Sequence, residues 1–348
     1  MADTMLAAVL HAPRDMRVEA WPVPRLRSDY DALVRVQAVG ICGSDMHFYT
    51  DGRIGSFVVE EPLILGHEAA GTVEAVGDRV TRLRPGDRVA IEPGYPCRRC
   101  EFCKSGRYNL CPDVVFMAAP PTHGAFCEYV VWPEDFLFPL PEQVSLEEGA
   151  MLEPLAVGMW AARRAGIRPG DSAVVLGAGP IGLVTLQAAR LHGAYPVYVT
   201  DMVDSRLAFA RRLGATEVIN TAEADPVQAV RELTEGRGVD VALECAGAAP
   251  TVAQAIAMVR RGGMVQVVGN MPDTLDHFPL LEAVLKELTI SGLFRYVNCY
   301  PPSLAAVASG AVDVKSLITH RFPLAETPEA FEYVLAHRHE VIKAVVTP

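Results

Sequence analysis

Cys97, Cys100, Cys103 and Cys111 place four thiols within fifteen residues, spaced C-x2-C-x2-C-x7-C. So tight a cluster is poor geometry for disulfides. It suits one tetrahedral Zn2+ held by four thiolates at about 2.3 Å. A metal with four protein ligands has no open position, so this one holds a loop together and does no chemistry. A redox or disulfide cluster is the alternative, and a reducing compartment disfavours it. A second and different donor set lies elsewhere. His67 and Glu68 are adjacent, Cys42 lies in Gly40-Ile-Cys-Gly-Ser-Asp45, and Glu153 lies in Leu152-Glu-Pro154. One Cys, one His and one or two carboxylates make a zinc site that keeps a position for water or a reacting molecule. Spacing alone does not single these residues out, because an adjacent His and Glu is more often an ordinary surface or satisfied pair. Ser44 and His47 follow Cys42 closely. They read either as a proton relay to solvent or as a loop serine and a surface histidine.

A third constellation is Gly177-Ala-Gly179-Pro180-Ile181-Gly182, directly after the strand-like run Ser172–Leu176. A helical stripe follows, with Ile181, Val184, Ala188 and Leu191 on one face. The glycines permit a tight turn and close approach of backbone to a pyrophosphate, and Pro180 suits the first helical turn. The helix N-terminus supplies oriented N–H donors and partial positive charge. A lone GxGxxG is weak evidence. This one has strand, helix and an acid at the end of the next strand, Asp201, nineteen residues after Gly182. A carboxylate there accepts the ribose hydroxyls of NAD and repels a 2′-phosphate. Arg206 lies nearby and has three open readings: a 2′-phosphate contact, a stack on the adenine, or a solvated helix face.

These residues need two scaffolds. Residues 1–154 are rich in Gly, Pro and short β-like runs such as Ala32–Val39, Gly71–Val76 and Asp87–Ile91, bounded by Pro-Gly turns. A mainly antiparallel β domain is expected there. Residues 155–293 alternate strand-like runs (Ser172–Leu176, Val197–Thr200, Glu217–Ile219, Val239–Leu243, Met264–Val268, Leu288–Ile290) with helical patterns. That alternation predicts an α/β, doubly wound parallel sheet. Residues 294–348 carry two short helical patterns and a final strand, Val341–Val346, and are expected to rejoin the first domain. A chain of 348 residues is long enough for two cores. A net charge of −11 with no basic block argues against a nucleic-acid or membrane-surface partner. No signal peptide or membrane-length apolar run is evident. Eight cysteines in such a chain therefore point to a reducing cytoplasm. Cys127, Cys245 and Cys299 read as small buried hydrophobes. Glu92 and Glu101 receive no role.

The pattern Gly66-His67-Glu68-x2-Gly71-x5-Gly77-x2-Val80 resembles the zinc signature of the medium-chain alcohol dehydrogenases. Both zinc patterns and the GxGxxG occur in that family's order over nearly the whole chain. The stretches Gly40–Asp45, Asp51–Gly55, Arg107–Leu110, Leu152–Leu155, Val199–Asp201, Phe294–Tyr296 and Thr319–Phe322 are similar to the sorbitol (polyol) dehydrogenases within it. The resemblance implies a GroES-like catalytic domain and a Rossmann NAD-binding domain. It implies that Cys42, His67 and Glu68 ligate a catalytic zinc, with Glu153 acting through the metal's water or as a further ligand. Arg295 and Tyr296 would contact substrate hydroxyls. Where animal sorbitol dehydrogenases carry a substrate-contacting Tyr, this chain has Phe48, with Tyr49 one residue later. Ile181, Asp201, Arg206, Val268, Gly269, Asn270 and Phe294 would contact NAD. The implied enzyme holds two zincs per chain, one catalytic and one structural. It passes a hydride from a sugar alcohol to NAD, giving a ketose, and works as a cytoplasmic homotetramer. A threonine or butanediol dehydrogenase of the same family, and a catalytically silent NAD-binding protein, are the alternatives.

Overall fold

The computed structural model describes residues 3–276 and 278–348. The chain folds as two compact units, Met1–Glu153 with Tyr300–Pro348, and Pro154–Cys299. The expected divisions after residues 154 and 293 fall one and six residues from these.

The first unit is built on antiparallel strands, as its short apolar runs and Pro-Gly turns require. Strands β1 (Thr4–Ala12) and β2 (Asp15–Pro22) form a hairpin, with the Leu63–Ile64 pair added to β1. The main sheet is made by β3 (Asp31–Gly40), β4 (Glu68–Val76), β5 (Arg88–Ile91), β6 (Tyr129–Pro133) and β7 (Leu137–Pro139). Its order runs β7-β5-β4-β3, with β6 also paired to β3. Apart from exposed Arg35 and half-buried Gln37, β3 is buried on both faces, which is why Ala32–Val39 reads as a mostly apolar run rather than an alternation. The core of this unit gathers Val34, Leu65, Ile91, Phe126, Trp132 and Phe331. Sequence reasoning did not name β1 or β2.

The second unit is a six-stranded parallel sheet. Its strands are β8 (Ala173–Leu176), β9 (Val197–Asp201), β10 (Glu217–Asn220), β11 (Val239–Glu244), β12 (Val259–Val267) and β13 (Thr289–Gly292). The order is β10-β9-β8-β11-β12-β13, so the winding reverses between β8 and β11. Strand β12 begins five residues before the expected Met264, running through Arg260-Arg261-Gly262-Gly263. Two arginines and two glycines masked that stretch, and pairing of Val259 with Val239 of β11 holds it. The helix Pro180–Leu191 also differs from its expected single stripe. Residues 182–189 are all buried, while Leu191 is 45% exposed. A helix enclosed on most sides loses the one-faced pattern of a surface helix.

The chain then returns to the first unit. Strand β14 (Ile318–Pro323), absent from the sequence reading, pairs in parallel with β15 (Lys343–Thr347), and β15 pairs antiparallel with β3. The return sets the C-terminal strand beside the end of β3, next to Gly40 and Ile41. Among the described residues no helix is long and apolar enough to cross a membrane.

Candidate functional site

Cys42 is the N-cap of α1 (Gly43–Asp51), immediately after β3. The third residue of that helix, Asp45, turns back so that its carboxylate accepts from Cys42 N at 3.0 Å. The other carboxylate oxygen accepts from Gly66 N at 3.1 Å and faces His67 Nδ1 at 3.4 Å. Asp45 therefore ties the two ligand-bearing segments together from a fully buried position. With Nδ1 turned to Asp45, Nε2 is the ring nitrogen left for a metal. Burial works against charge on His67, but Asp45 and then Cys42 outweigh it and raise the imidazole well above its ordinary value. The same negative field favours a divalent cation.

Glu68 opens β4 and is fully buried. A Cβ on Gly40 would collide with its carboxylate, so glycine at the end of β3 makes the room it occupies. Both Glu68 oxygens accept from Lys343 Nζ at 2.7 Å, and Lys343 also donates to Ile41 O at 3.0 Å. Burial alone would push Lys343 down; Glu68 and then Cys42 reverse this and raise it, so the ammonium is kept. Ligand atoms of Cys42, His67 and Glu68 lie within 4.8 Å of one another. Glu153, in the first turn of the helix Leu152–Arg164, is 5% exposed and is not part of that close set. Phe116 packs on His67 with ring centroids 5.7 Å apart. A soft thiolate, an imidazole and a carboxylate in so small a space, with a counter-cation behind one of them, fit zinc with an open position.

Other expected residues of this region separate. Ser44 is half-buried on α1, while His47 is exposed and faces Asp51 at 3.4 Å. Phe48 is buried in the core. Tyr49 does not stand in for it, because its hydroxyl donates to Glu332 at 2.7 Å and its ring packs on Phe331.

The four-cysteine loop closes on itself. All four Sγ atoms lie within 4.8 Å of one another, with Cys100 and Cys103 at 3.3 Å and Cys97 and Cys103 at 3.9 Å. Tetrahedral thiolates at the usual zinc distance stand about 3.8 Å apart, so the set fits one ion. The N–H groups of Arg99 and then Cys100 pull the Cys97 thiol down to about 6, while burial and neighbouring thiols push Cys103 up to about 12. Tyr108, within this loop, donates to the buried Glu92 at 2.7 Å. Burial drives Glu92 up to about 7; Tyr108 pulls it back and the charge of Glu153 adds to the rise.

In the second unit, Gly177 has φ 98°, and a Cβ on Gly182 would strike the Gly177 carbonyl. Gly179 caps the helix Pro180–Leu191 and has nothing within 4 Å of its would-be Cβ, leaving open space over the helix N-terminus for a phosphate. Asp201 ends β9; its two oxygens accept from Ala178 N at 2.7 Å and Val203 N at 2.9 Å. It thereby anchors the glycine turn and keeps lone pairs for ribose hydroxyls. Ile181 and Arg206 are half-buried, Val268 and Gly269 follow β12, and Asn270 is exposed. Phe294 is half exposed beneath the Arg295 guanidinium at 4.7 Å, and Tyr296 is buried. Arg295 holds φ 53°, a strained conformation for a non-glycine residue. The crevice fits a dinucleotide.

Sequence reasoning missed Asp45, Lys343 and Phe116, and gave Glu92 no role. Asp45 stood three residues after Cys42, and Lys343 is one of only four lysines, inside an apolar strand. Both signals were present.

Comparison with known proteins agrees with this geometry. The alcohol dehydrogenase GroES-like domain family matches residues 28–142, and the zinc-binding dehydrogenase family matches residues 180–309. The chain is 46% identical to a sorbitol dehydrogenase of Bacillus subtilis over 99% of its own length and 98% of the relative's. An Escherichia coli oxidoreductase/dehydrogenase of unknown specificity superposes with a TM-score of 0.95 at 42% identity, covering 99% of both chains. A zinc-binding dehydrogenase from Sinorhizobium meliloti, solved with NADP, gives 0.91 at 32% identity over 100% of both chains.

Proposed function

The chain belongs to the zinc-dependent medium-chain alcohol dehydrogenase family, and on that premise we propose that it oxidises a secondary alcohol of a sugar alcohol, of the sorbitol or xylitol kind, with NAD as acceptor. The product is a ketose. The observation that carries this reading is the mixed donor set, Cys42, His67 and Glu68 within 4.8 Å of one another, beside a separate closed set of four cysteines. The polyol class is supported by the 46% identity to a sorbitol dehydrogenase along the whole chain.

When bound, zinc supplies Lewis acidity at the alcohol oxygen, and the nicotinamide accepts the hydride. The chain's own residues do the rest. Asp45 fixes the tautomer and orientation of His67, and Lys343 holds the Glu68 carboxylate. Glu153 is the candidate to hold the alcohol's proton, since a positioned base contributes about 10²–10⁴ in rate. Ser44 and His47 are the candidate route onward to solvent, His47 being the exposed end. Arg295 and Tyr296 are assigned to substrate hydroxyls, with Phe48 at the position of the animal tyrosine. Asp201 favours NAD over NADP by repelling a 2′-phosphate. Self-association is expected, to a homotetramer. Two features support a second copy of the chain as partner. The outer edge of β13 has no strand partner among the described residues, and the helix Leu280–Leu285 exposes Leu280, Leu281, Val284 and Leu285 by 62–71%. A cytoplasmic location completes the reading.

The test is a substrate panel with NAD and with NADP, alongside a metal count. Two zincs per chain and highest kcat/KM on polyols with NAD are expected. Preference for threonine or butanediol would overturn the polyol assignment, and one zinc per chain with no turnover would overturn the enzyme. Asp201→Ala should weaken NAD use and improve NADP use. An unchanged cofactor ratio would remove Asp201 as the discriminator.

A further inference from the structure

Glu244, the last residue of β11, is fully buried, and no Lys or Arg is paired with it among the described residues. A lone buried carboxyl is expensive unless donors satisfy it. Here one oxygen takes nearly all of them. Oε1 accepts from Ala246 N at 2.9 Å, Gly247 N at 2.9 Å and Thr251 Oγ1 at 2.7 Å. Oε2 is buried with no hydrogen-bond partner among the described residues. The main chain of the same residue is equally committed, its carbonyl accepting from Val268 N at 2.8 Å and Gly269 N at 3.0 Å. One residue therefore joins the loop after β11 to the loop after β12.

Those loops meet backbone to backbone. A Cβ on Gly247 would stand 2.5 Å from Asn270 O, and one on Gly269 would strike Gly247 and come within 3.0 Å of Glu244 Oε2. A Cβ on Gly177, in the turn after β8, would lie 3.0 Å from Ala246 Cα. The three loops leave the carboxyl ends of β8, β11 and β12, which are adjacent in the sheet where its winding reverses. A doubly wound sheet binds its ligand in the crevice outside those ends.

We propose that Glu244 is a positioning residue for the nicotinamide cofactor, its Oε1 fixing the loop after β11, against whose backbone the turns after β8 and β12 pack. This deepens the dinucleotide reading and rests on it. Glu244 does not touch the cofactor in this account; its side chain acts through the backbone of residues 246–247, while its main-chain carbonyl holds residues 268–269 whatever the side chain. Because only Oε1 is used, an amide with its carbonyl in that place does the same work, whereas a thioether of similar length does not. Burial, outweighing Thr251 and the loop amides, raises Glu244 above the usual carboxylate range, in keeping with a side chain that an amide can replace.

The experiment measures NADH binding by fluorescence titration of the zinc-loaded protein, with steady-state kinetics and thermal melts, for wild type, Glu244→Met, Glu244→Gln and Thr251→Val. Glu244→Met is expected to raise the NADH Kd and the KM for NAD by about tenfold, as loss of a buried acceptor with several donors implies. At saturating NAD the polyol KM should stay within about threefold of wild type, and Glu244→Gln should restore the Kd to within the same factor. Thr251→Val, which removes one donor of three, should shift Kd the same way by less. A folded Glu244→Met with unchanged Kd, even with a lowered melting point, overturns the proposal. So does a Glu244→Gln as weak as Glu244→Met. If Glu244→Met does not fold, an unchanged Kd in Thr251→Val overturns it. Failure of wild type to bind NADH would instead refute the dinucleotide reading beneath it.

Discussion

The two donor clusters of the first unit solve opposite electrostatic problems. The four-cysteine loop collects like groups from one short stretch, and nothing cationic stands among the four ligands. Four thiols cannot all ionise side by side without a cation; here backbone N–H groups lower Cys97, while burial and then neighbouring thiols raise Cys103. The second cluster draws unlike groups from the end of β3, the start of β4 and the C-terminal strand. It carries its own counter-charge, Lys343, against Glu68. The first cluster has no counter-charge among its donors, whereas in the second Lys343 already answers Glu68. That difference is the one expected between a metal staple and a reaction site.

The largest effect expected on this contrast is from His67→Ala. Loss of the open-site zinc removes Lewis-acid stabilisation of several kcal/mol, a fall of about 10³-fold or more in turnover. The four-cysteine zinc and NADH binding should remain. Metal analysis and NADH titration of the same preparation check this, and lost NADH affinity with full metal content would break the partition.

Lys343→Met tests whether the counter-charge makes the open site independent of metal. Removing one partner of a buried pair costs about 3–5 kcal/mol. The metal-stripped variant should therefore melt well below stripped wild type. Zinc should raise its melting point by more than it raises that of wild type, since Glu68 then answers to the metal alone. Equal zinc-induced shifts in the two proteins would contradict the contrast.

Cys100→Ser tests the staple. One zinc per chain should be lost and the melting temperature should drop by several degrees, with kcat of the surviving folded enzyme within a few-fold of wild type. Vanished activity at unchanged stability would exchange the roles of the two clusters.

The smallest effect concerns the link between them. Glu92, bonded to Tyr108 of the loop and sensing Glu153, keeps its proton up to about pH 7, whereas in the unfolded chain it loses it near 4.5. The native state binds the extra proton between those values, so this residue's stabilising contribution is full below 4.5 and is lost as pH rises through 7. Glu92→Gln stays neutral throughout. It should match wild type near pH 4.5 and exceed it at pH 8, by at most about 3 kcal/mol, in denaturant melts at the two values. Equal stability differences at both would show that Glu92 does not titrate in this range.

Legibility followed the same divide. The four-cysteine ligands and the glycine turn are local in sequence, so their spacing carried their chemistry and the structure gathers them as expected. The donors of the open site could be named as candidates by residue type but singled out only through family resemblance, because Cys42 and His67 are far apart in the chain. Lys343 and Asp45 escaped because a partner's value depends on what it faces. Strand β14 and the early start of β12 escaped because pairing with a neighbour, not local pattern, holds them.

By itself the amino-acid sequence determined two domains, a local cluster of four cysteines, a glycine turn opening a helix and an acid at the end of the next strand. Each depends on contacts within a few residues or on a short hydrophobic period, which the chain encodes directly. Only the tertiary structure decided which buried charges answer one another: Lys343 to Glu68 across 275 positions and Asp45 to His67. Electrostatic and hydrogen-bond energies fall steeply with distance and rise with burial, and both are set when the strands pair.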